Sequence, residues 1–547
     1  MRTDILKTYK TLHTWTGLIC GIALFICFFA GALTMFEEQL DRWATPPQQK
    51  LPWIEREKLP QLIERLQQEQ PQIYKGFTVH VSERENTLAP ISWTDRGESQ
   101  NTYWYASLDA DDNLLVAQRE PSQMADLIDH LHQTAGIPGK GHHYYGVYVM
   151  GAIAILYALA LFSGVILLLP TLAKDFFAVR KGKNLKRFWL DTHNVIGITS
   201  LPFHIVITLT VIVFAFHDQF YDALQEAVYG DRPIFERSPP SPLNPDQARK
   251  LWMPDELLAR TYELSPAFTP REIHYSRLNN AGASARIAGE NDAHMLRGAN
   301  RGFVTFDAYT GDATSLEYLP GYEDSWTDVL NAFFALHFGN YGGSWVRWIY
   351  FALGLSGAYL FYSGNLLWIE SRRRKQRRDG AVLAQPFNVQ VMAALTVGSC
   401  WGCVAAVISS MVIGKWWGSF SVTPNGSYLW SYYLIFIAAV AWAFWAGAAR
   451  ALVHLLWLCA GACAALLVTG IIGALIPGKG LWLHTSGATL AVEATALIGG
   501  LAFALMAHRT RQRVQFGPHD SIWSYTANPP RLPLKLRRPA TETATSM

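Results

Sequence analysis

The sequence predicts a polytopic α-helical membrane protein with about eight transmembrane helices and two small α+β domains on its extracytoplasmic side. Three observations predict it. Half of the 547 residues are hydrophobic and only 16% are charged, against about a quarter in an ordinary soluble domain. Apolar runs of the length that crosses a bilayer recur along the chain. Two long intervening stretches are polar and alternate in the manner of β-strands. A mean hydropathy of only +0.09 excludes a chain lying wholly in the membrane. The net charge of +3 is spread as short basic runs beside apolar segments, which argues against a nucleic-acid partner.

Residues 1–36 hold the first span. It has the make-up of a signal peptide, but no small-residue cleavage site follows and it runs into Phe36-Glu37-Glu38, so an uncleaved helix is expected. Residues 37–143 form the first extracytoplasmic domain, with an amphipathic helix from Leu59 to Gln70 and strand alternation in Gly76-Phe77-Thr78-Val79-His80-Val81. The second span is 144–170. A basic loop, 171–192, follows with Lys174, Arg180, Lys181, Lys183, Lys186 and Arg187.

The third span, 193–216, leads into a second domain, 217–343, with the alternating run Gly302-Phe303-Val304-Thr305-Phe306-Asp307. The fourth span is 344–370 and a basic linker, 371–387, opens with Arg372-Arg373-Arg374-Lys375. Residues 388–508 hold four further spans with short loops, and the tail, 509–547, starts with Arg509, Arg511 and Arg513. With eight spans the basic segments share one side. By the positive-inside rule that side and both termini are cytoplasmic.

All six cysteines, Cys20, Cys27, Cys400, Cys403, Cys459 and Cys463, lie in apolar stretches, where the residue behaves as a small hydrophobe. Cys400 and Cys403 form a C-x-x-C with no second ligand pair nearby, and packing is the expected role.

An internal repeat organises the first 370 residues: helix, domain, helix, twice. Leu12-His13-x-x-x-Gly17 recurs as Thr192-His193-x-x-x-Gly197, Leu131-His132 as Leu336-His337, and Ser163-Gly164 as Ser363-Gly364. His13 and His193 therefore open the first and third spans at the cytoplasmic edge. His132 and His337 precede the second and fourth spans on the other side. Two like pairs at two depths are what a helical bundle needs to hold two bis-histidine haems, because neutral imidazole is a good axial iron ligand. The competing reading is four interfacial histidines with their polar tips at the membrane boundary.

His204 lies eleven residues after His193, about 16 Å along a helix and on the same face. An ionisable group at that depth reads as functional by default: a ligand of the second haem, a hydrogen-bond donor to a propionate, or a histidine bonded to a neighbouring helix. His142 and His143 are read as interfacial, with ligation as their alternative. Glycines such as Gly17, Gly164, Gly197 and Gly364 permit close helix packing or the approach of a porphyrin face. Glu493 falls near mid-membrane, where a packing contact competes with a proton or quinone role.

These motifs resemble the PepSY-associated transmembrane family of bacterial inner-membrane proteins, often described as iron-regulated, over about residues 5–375. The resemblance rests on Leu12-His13-Thr14-Trp15-Thr16-Gly17, Leu131-His132, Phe188 to Gly197, Leu201-Pro202-Phe203-His204 and His337 to Gly343. Asp307-Ala308-Tyr309-Thr310-Gly311 is similar to the D-x-x-T-G hairpin of a PepSY domain; Asp109-Ala110-Asp111-Asp112-Asn113 departs from it. Some members are di-haem ferric-siderophore reductases. The resemblance thus implies an oxidoreductase with two b-type haems on His13, His132, His193 and His337, with His204 the rival ligand. Its partners would be membrane lipid, a periplasmic ferric siderophore or similar chelate, and an unidentified cytoplasmic-side or quinol electron donor.

Reduction to the softer ferrous ion weakens the grip of hard oxygen donors, so the chemistry would release iron. No G-x-G-x-x-G occurs, so no flavin or nicotinamide site is expected. The last four spans lie outside the resemblance. Two other classes compete: a haem-free PepSY binding or regulatory protein, and an iron or siderophore permease using the last four helices, for which Glu493 is the one hint.

Overall fold

In a computed structural model, the structure describes residues 3–524 except 48, 86, 97–100, 120, 140–144, 173–178, 181–183, 233–249, 281, 292, 297–301, 375–383, 419–424, 477–479 and 519. His142, His143, Lys174, Lys181, Lys183, Lys375 and most of the tail thus lie outside the described residues.

The chain runs through α1 (Thr3–Thr34), α2 (Glu37–Ala44) and α3 (Leu59–Glu69), then β1 (Gly76–His80), β2 (Ile91–Arg96), β3 (Asn101–Leu108) and β4 (Leu114–Arg119). Next come α4 (Met124–Thr134), α5 (Tyr145–Leu168), α6 (Leu185–Thr199), α7 (Leu201–Leu224) and α8 (Pro254–Leu264). The strands β5 (Thr269–Ser276), β6 (Ser284–Glu290), β7 (Gly302–Asp307) and β8 (Ala313–Ser315) follow. The rest is helical: α9 (Ser325–Phe338), α10 (Gly343–Ser371), α11 (Phe387–Gly418), α12 (Gly426–Ala446), α13 (Ala448–Leu475) and α14 (Gly487–Phe516).

Among the described residues, seven helices are long and apolar enough to cross a membrane, where eight were expected. They are α1, α5, α7 with its extension to Tyr229, and α11 to α14. The expected fourth span is the 29-residue helix α10. It carries Arg347, Tyr350, Tyr359, Tyr362, Ser363, Asn365 and Glu370, and this polar content separates it from the seven.

Two compact bodies make up the chain. One comprises Met1–Ala44, Gln123–His204 and Leu353–Met547; the other comprises Thr45–Ser122 and Ile205–Ala352. In the first body α1 packs on α4 and α5, while α11 packs on α12 and α13, and α13 on α14. Small residues set the α11–α12 approach: a Cβ at Gly398 would lie 2.8 Å from the Val440 Cα, and one at Gly402 2.8 Å from the Ala439 Cβ. The four C-terminal helices share this body with α1, α2, α4 and α5.

The second body holds one eight-stranded antiparallel sheet in the order β4-β3-β2-β1-β5-β6-β7-β8. Each polar stretch supplies four strands, and the halves join where β1 pairs with β5, from Gly76 opposite Ser276 to His80 opposite Glu272. The two expected domains therefore share a sheet. They also share a core: Leu62, Ile63 and Leu66 of α3 and Leu257 and Leu258 of α8 belong to one cluster with Phe77, Val79, Ile273, Tyr275 and Ile287.

The Asp307 hairpin has a physical basis. Asp307 Oδ1 accepts from the Tyr309 and Thr310 amides, and Gly311 takes φ +72°, the left-handed region that favours glycine. The divergent Asp109 turn reaches a like result. Asp109 Oδ1 accepts from the Asp111 and Asn113 amides, and Asp112 takes φ +60°.

Candidate functional site

The structure brings His13 and His193 together. His13 comes from α1 and His193 from α6, and their rings lie 6.3 Å apart between centroids with their planes 79° apart. The start of α6 is fixed from outside the spans. Asn184 caps it by accepting from the Arg187 amide. Asp191, nearly inaccessible, accepts from the Arg180 guanidinium at 2.9 Å and pairs with Arg187 at 3.1 Å. Burial works to raise the pKa of Asp191, but hydrogen bonds from Arg180 and the charge of Arg187 outweigh it and hold it below the usual carboxylate range.

Each of the four repeat-related histidines has its Nδ1 engaged. His13 Nδ1–H donates to the Ala160 carbonyl at 2.8 Å. His193 Nδ1–H donates at 3.0 Å to the Ser363 hydroxyl, which itself donates to the Leu360 carbonyl. His132, on α4, donates to the Cys27 carbonyl of α1 at 3.0 Å. His337, on α9, donates at 2.8 Å to Thr210 Oγ1, which donates to the Val206 and Ile207 carbonyls. For His13 and His132 the carbonyl partner can only accept, so the proton sits on Nδ1 and Nε2 keeps its lone pair. Ser363 and Thr210 spend their hydroxyl protons on helix carbonyls, which leaves each oxygen to accept from Nδ1–H in the same way. A metal-ligating histidine is oriented in this way.

The surroundings are cut to these rings. A Cβ at Gly164 would stand 2.9 Å from His13 Cε1, and one at Gly31 2.6 Å from His132 Nδ1. Gly17, one turn beyond His13, faces open space. Cys27 lies fourteen residues beyond His13 on α1, about 21 Å along the helix, so His13 and His132 mark two levels of the same body. His337 belongs to the other body, where its ring packs against Phe214 at 4.9 Å. Both His132 and His337 ride on short helices outside the long spans.

His204 is fully buried in the first body. Its ring is boxed by Phe28, Phe203 and Phe361, and its Nδ1 is hydrogen-bonded to the Tyr157 hydroxyl. That is the helix-to-helix bond foreseen as one of its three readings. No group of three or more His, Cys, Asp or Glu side chains arranged for a metal ion occurs among the described residues. Haem, with two protein ligands per iron, needs none.

Sequence reading missed two participants in this site and one buried cation outside it. Ser363 and Thr210 were visible only as helix residues, although Ser363 stood in the Ser-Gly repeat. Lys415, with no exposed surface, sat unnoticed in an apolar run where a lone lysine is itself the signal.

A family model described as the PepSY-associated TM region matches residues 10–371. The chain belongs to that family. As a member of the PepSY-associated TM family with seven long apolar helices, it is a multi-pass membrane protein in contact with lipid. The match ends where α10 does, so helices α11 to α14 lie outside it. Comparison with curated proteins gives no match.

Proposed function

We propose that this PepSY-associated TM protein is an inner-membrane di-haem electron-transfer protein that reduces a ferric siderophore or similar ferric chelate on the periplasmic side. The observation that carries the reading is the His13–His193 pair. Two imidazoles that held one iron between them would need ring centroids about 6 Å apart. The rings of His13 and His193 have that separation, 6.3 Å, with Nδ1 of each tied back to a helix. Interfacial histidines turned to water would have no reason to share it.

His13 and His193 are assigned as the ligands of one b-type haem, and His132 and His337, by the repeat, as those of the second. When bound, the haem irons supply one-electron transfer along the membrane normal. The protein's own part is to hold each imidazole through Nδ1 so that Nε2 is left for the metal. With α10 as the eighth crossing, both termini are cytoplasmic. The electron source is then a cytoplasmic-side donor or a membrane quinol.

The test is the visible spectrum of the purified full-length protein. Reduced-minus-oxidised spectra should show paired low-spin Soret and α bands at two haems per chain. Their absence from protein expressed with ample haem would leave the haem-free binding or regulatory protein as the reading.

A further inference from the structure

The two repeats hold corresponding histidines by different acceptors. Positions 13 and 193 correspond, as do 27 and 207, both 180 apart; 160 and 360, and 163 and 363, correspond at 200 apart. In the first repeat the acceptor is a main-chain carbonyl, Ala160 for His13 at 2.8 Å and Cys27 for His132 at 3.0 Å. In the second repeat a hydroxyl stands between. His193 donates to Ser363, which donates to Leu360, the counterpart of Ala160. His337 donates to Thr210, which donates to Ile207, the counterpart of Cys27.

The difference is not one of residue type alone. Position 163 is also serine, but the Ser163 hydroxyl donates to Leu159 and Ala160 within its own helix, and His13 takes the Ala160 carbonyl directly.

A carbonyl oxygen is a stronger acceptor than a hydroxyl oxygen. The stronger the acceptor at Nδ1–H, the more basic Nε2 becomes and the more the oxidised metal is favoured. We propose that Ser363 and Thr210 are positioning residues that hold the rings of His193 and His337 through Nδ1 and, as weaker acceptors than a carbonyl, make each the weaker electron donor of its pair, setting the haem potentials upward. This rests on the di-haem reading. The Leu360 carbonyl already lies within reach of the His193 ring, so removing the Ser363 hydroxyl leaves that carbonyl as the sole acceptor, the bond its counterpart makes with Ala160.

The experiment is a redox titration, with EPR of the oxidised form, on the full-length holoprotein carrying Ser363→Ala, Ser363→Thr, Ser163→Ala, Thr210→Val or Thr210→Ser. Ser363→Ala should lower one midpoint potential and shift one low-spin EPR signal, leaving the other haem as in wild type. Thr210→Val should act on the other haem. Ser363→Thr and Thr210→Ser should restore wild-type values, and Ser163→Ala should change neither. Loss of one haem in Ser363→Ala with rescue by Ser363→Thr also supports the proposal. Haem-replete Ser363→Ala and Thr210→Val with unchanged potentials and EPR would overturn this inference alone, as would an equal shift in Ser163→Ala. Wild-type protein without haem bands would overturn the di-haem reading and this inference with it.

Discussion

The Trp43 indole N–H donates to Glu493 Oε1 at 2.8 Å, tying α2, which follows the first span, to the last long helix, α14. The other side of that indole covers a cation. Lys415 Nζ lies 3.7 Å from the Trp43 ring centroid and donates to the Trp482 carbonyl. One side chain thus holds a buried acid by its edge and a buried ammonium by its face, and charges at such depth persist only when partnered. Replacing Trp43 by Phe keeps the face and removes the donor, and should cost about 1–3 kcal/mol, the penalty of a lost buried hydrogen bond to a charged group. Trp43→Ala also loses the ring, and about 3–5 kcal/mol is expected. Thermal unfolding of the detergent-solubilised protein should rank wild type above Trp43→Phe above Trp43→Ala. Equal stability of all three would show that the bridge contributes nothing.

Replacing His13 or His193 by Ala should remove one haem and leave the other nearly intact. Replacing His337 should do the converse. Ferric reduction should stop in each case, because a wire broken at either end does not conduct. Pyridine haemochrome content and the rate of ferric-chelate reduction check this directly. Full haem content and undiminished reduction in a His13→Ala, His193→Ala double variant would return these residues to the role of interfacial histidines.

The same residues show what sequence can and cannot carry. The histidine repeat was legible because a helical period and a repeated Leu-His or Ser-Gly word survive in one dimension. The strands were legible for the same reason: alternation at period two marks Phe77 and Val79, or Val304 and Phe306, as core-facing. The seam between β1 and β5 was not. Pairing Gly76 with Ser276 is a choice between distant segments that no local pattern encodes. Nor was the difference between Ser163 and Ser363, identical in type and repeat position, because it lies in which acceptor a neighbouring ring finds. The polar character of α10 was present in its composition but outweighed by its length.

The glycines beside the histidines give a graded test that does not depend on haem. A Cβ would meet His132 Nδ1 at 2.6 Å from position 31, His13 Cε1 at 2.9 Å from position 164, and His193 Cε1 at 3.6 Å from position 364. The last is ordinary contact; the first two force a ring to move. Gly31→Ala and Gly164→Ala should each destabilise by about 1–3 kcal/mol, as overpacking does, and Gly364→Ala should be near neutral. Unfolding midpoints of the three variants would check the order. A Gly364→Ala variant as damaged as Gly31→Ala would contradict it.

Asp191 makes part of the stability pH-dependent. Its pKa in the folded protein lies below the unfolded value of about 3.9. The sign follows: the contribution is complete above the unfolded pKa and is lost as pH falls through the folded one. Acidification below about pH 4 should therefore loosen the start of α6, and Asp191→Asn should flatten that part of the stability curve. At neutral pH the variant should cost about 1–3 kcal/mol, below the cost of breaking a fully buried pair, because Arg180 and Arg187 are both partly exposed. Unfolding midpoints from about pH 2 to 6, which span the unfolded pKa and the fall toward the folded one, would show it. Parallel curves for wild type and variant would remove Asp191 from this role.

The seam of the sheet decides whether the halves act as one. Phe77 stacks on Tyr275 at 4.7 Å, Val79 lies opposite Ile273, and all four side chains belong to the shared core. On the polar side Glu272 stands 3.6 Å from His80 and 3.2 Å from His274. These groups are partly exposed, so removing the carboxylate by Glu272→Gln should cost less than about 1 kcal/mol. Ile273→Ala, at a site with no exposed surface, should cost about 2–5 kcal/mol. Because the core is continuous, that loss should be felt on both sides of the seam. Hydrogen exchange should quicken in β1, β2 and β3 as much as in β6 and β7, and the sheet should still open in one transition. If Ile273→Ala accelerated exchange only in β5 to β8, the halves would be two domains that touch, and the shared sheet would carry no cooperativity.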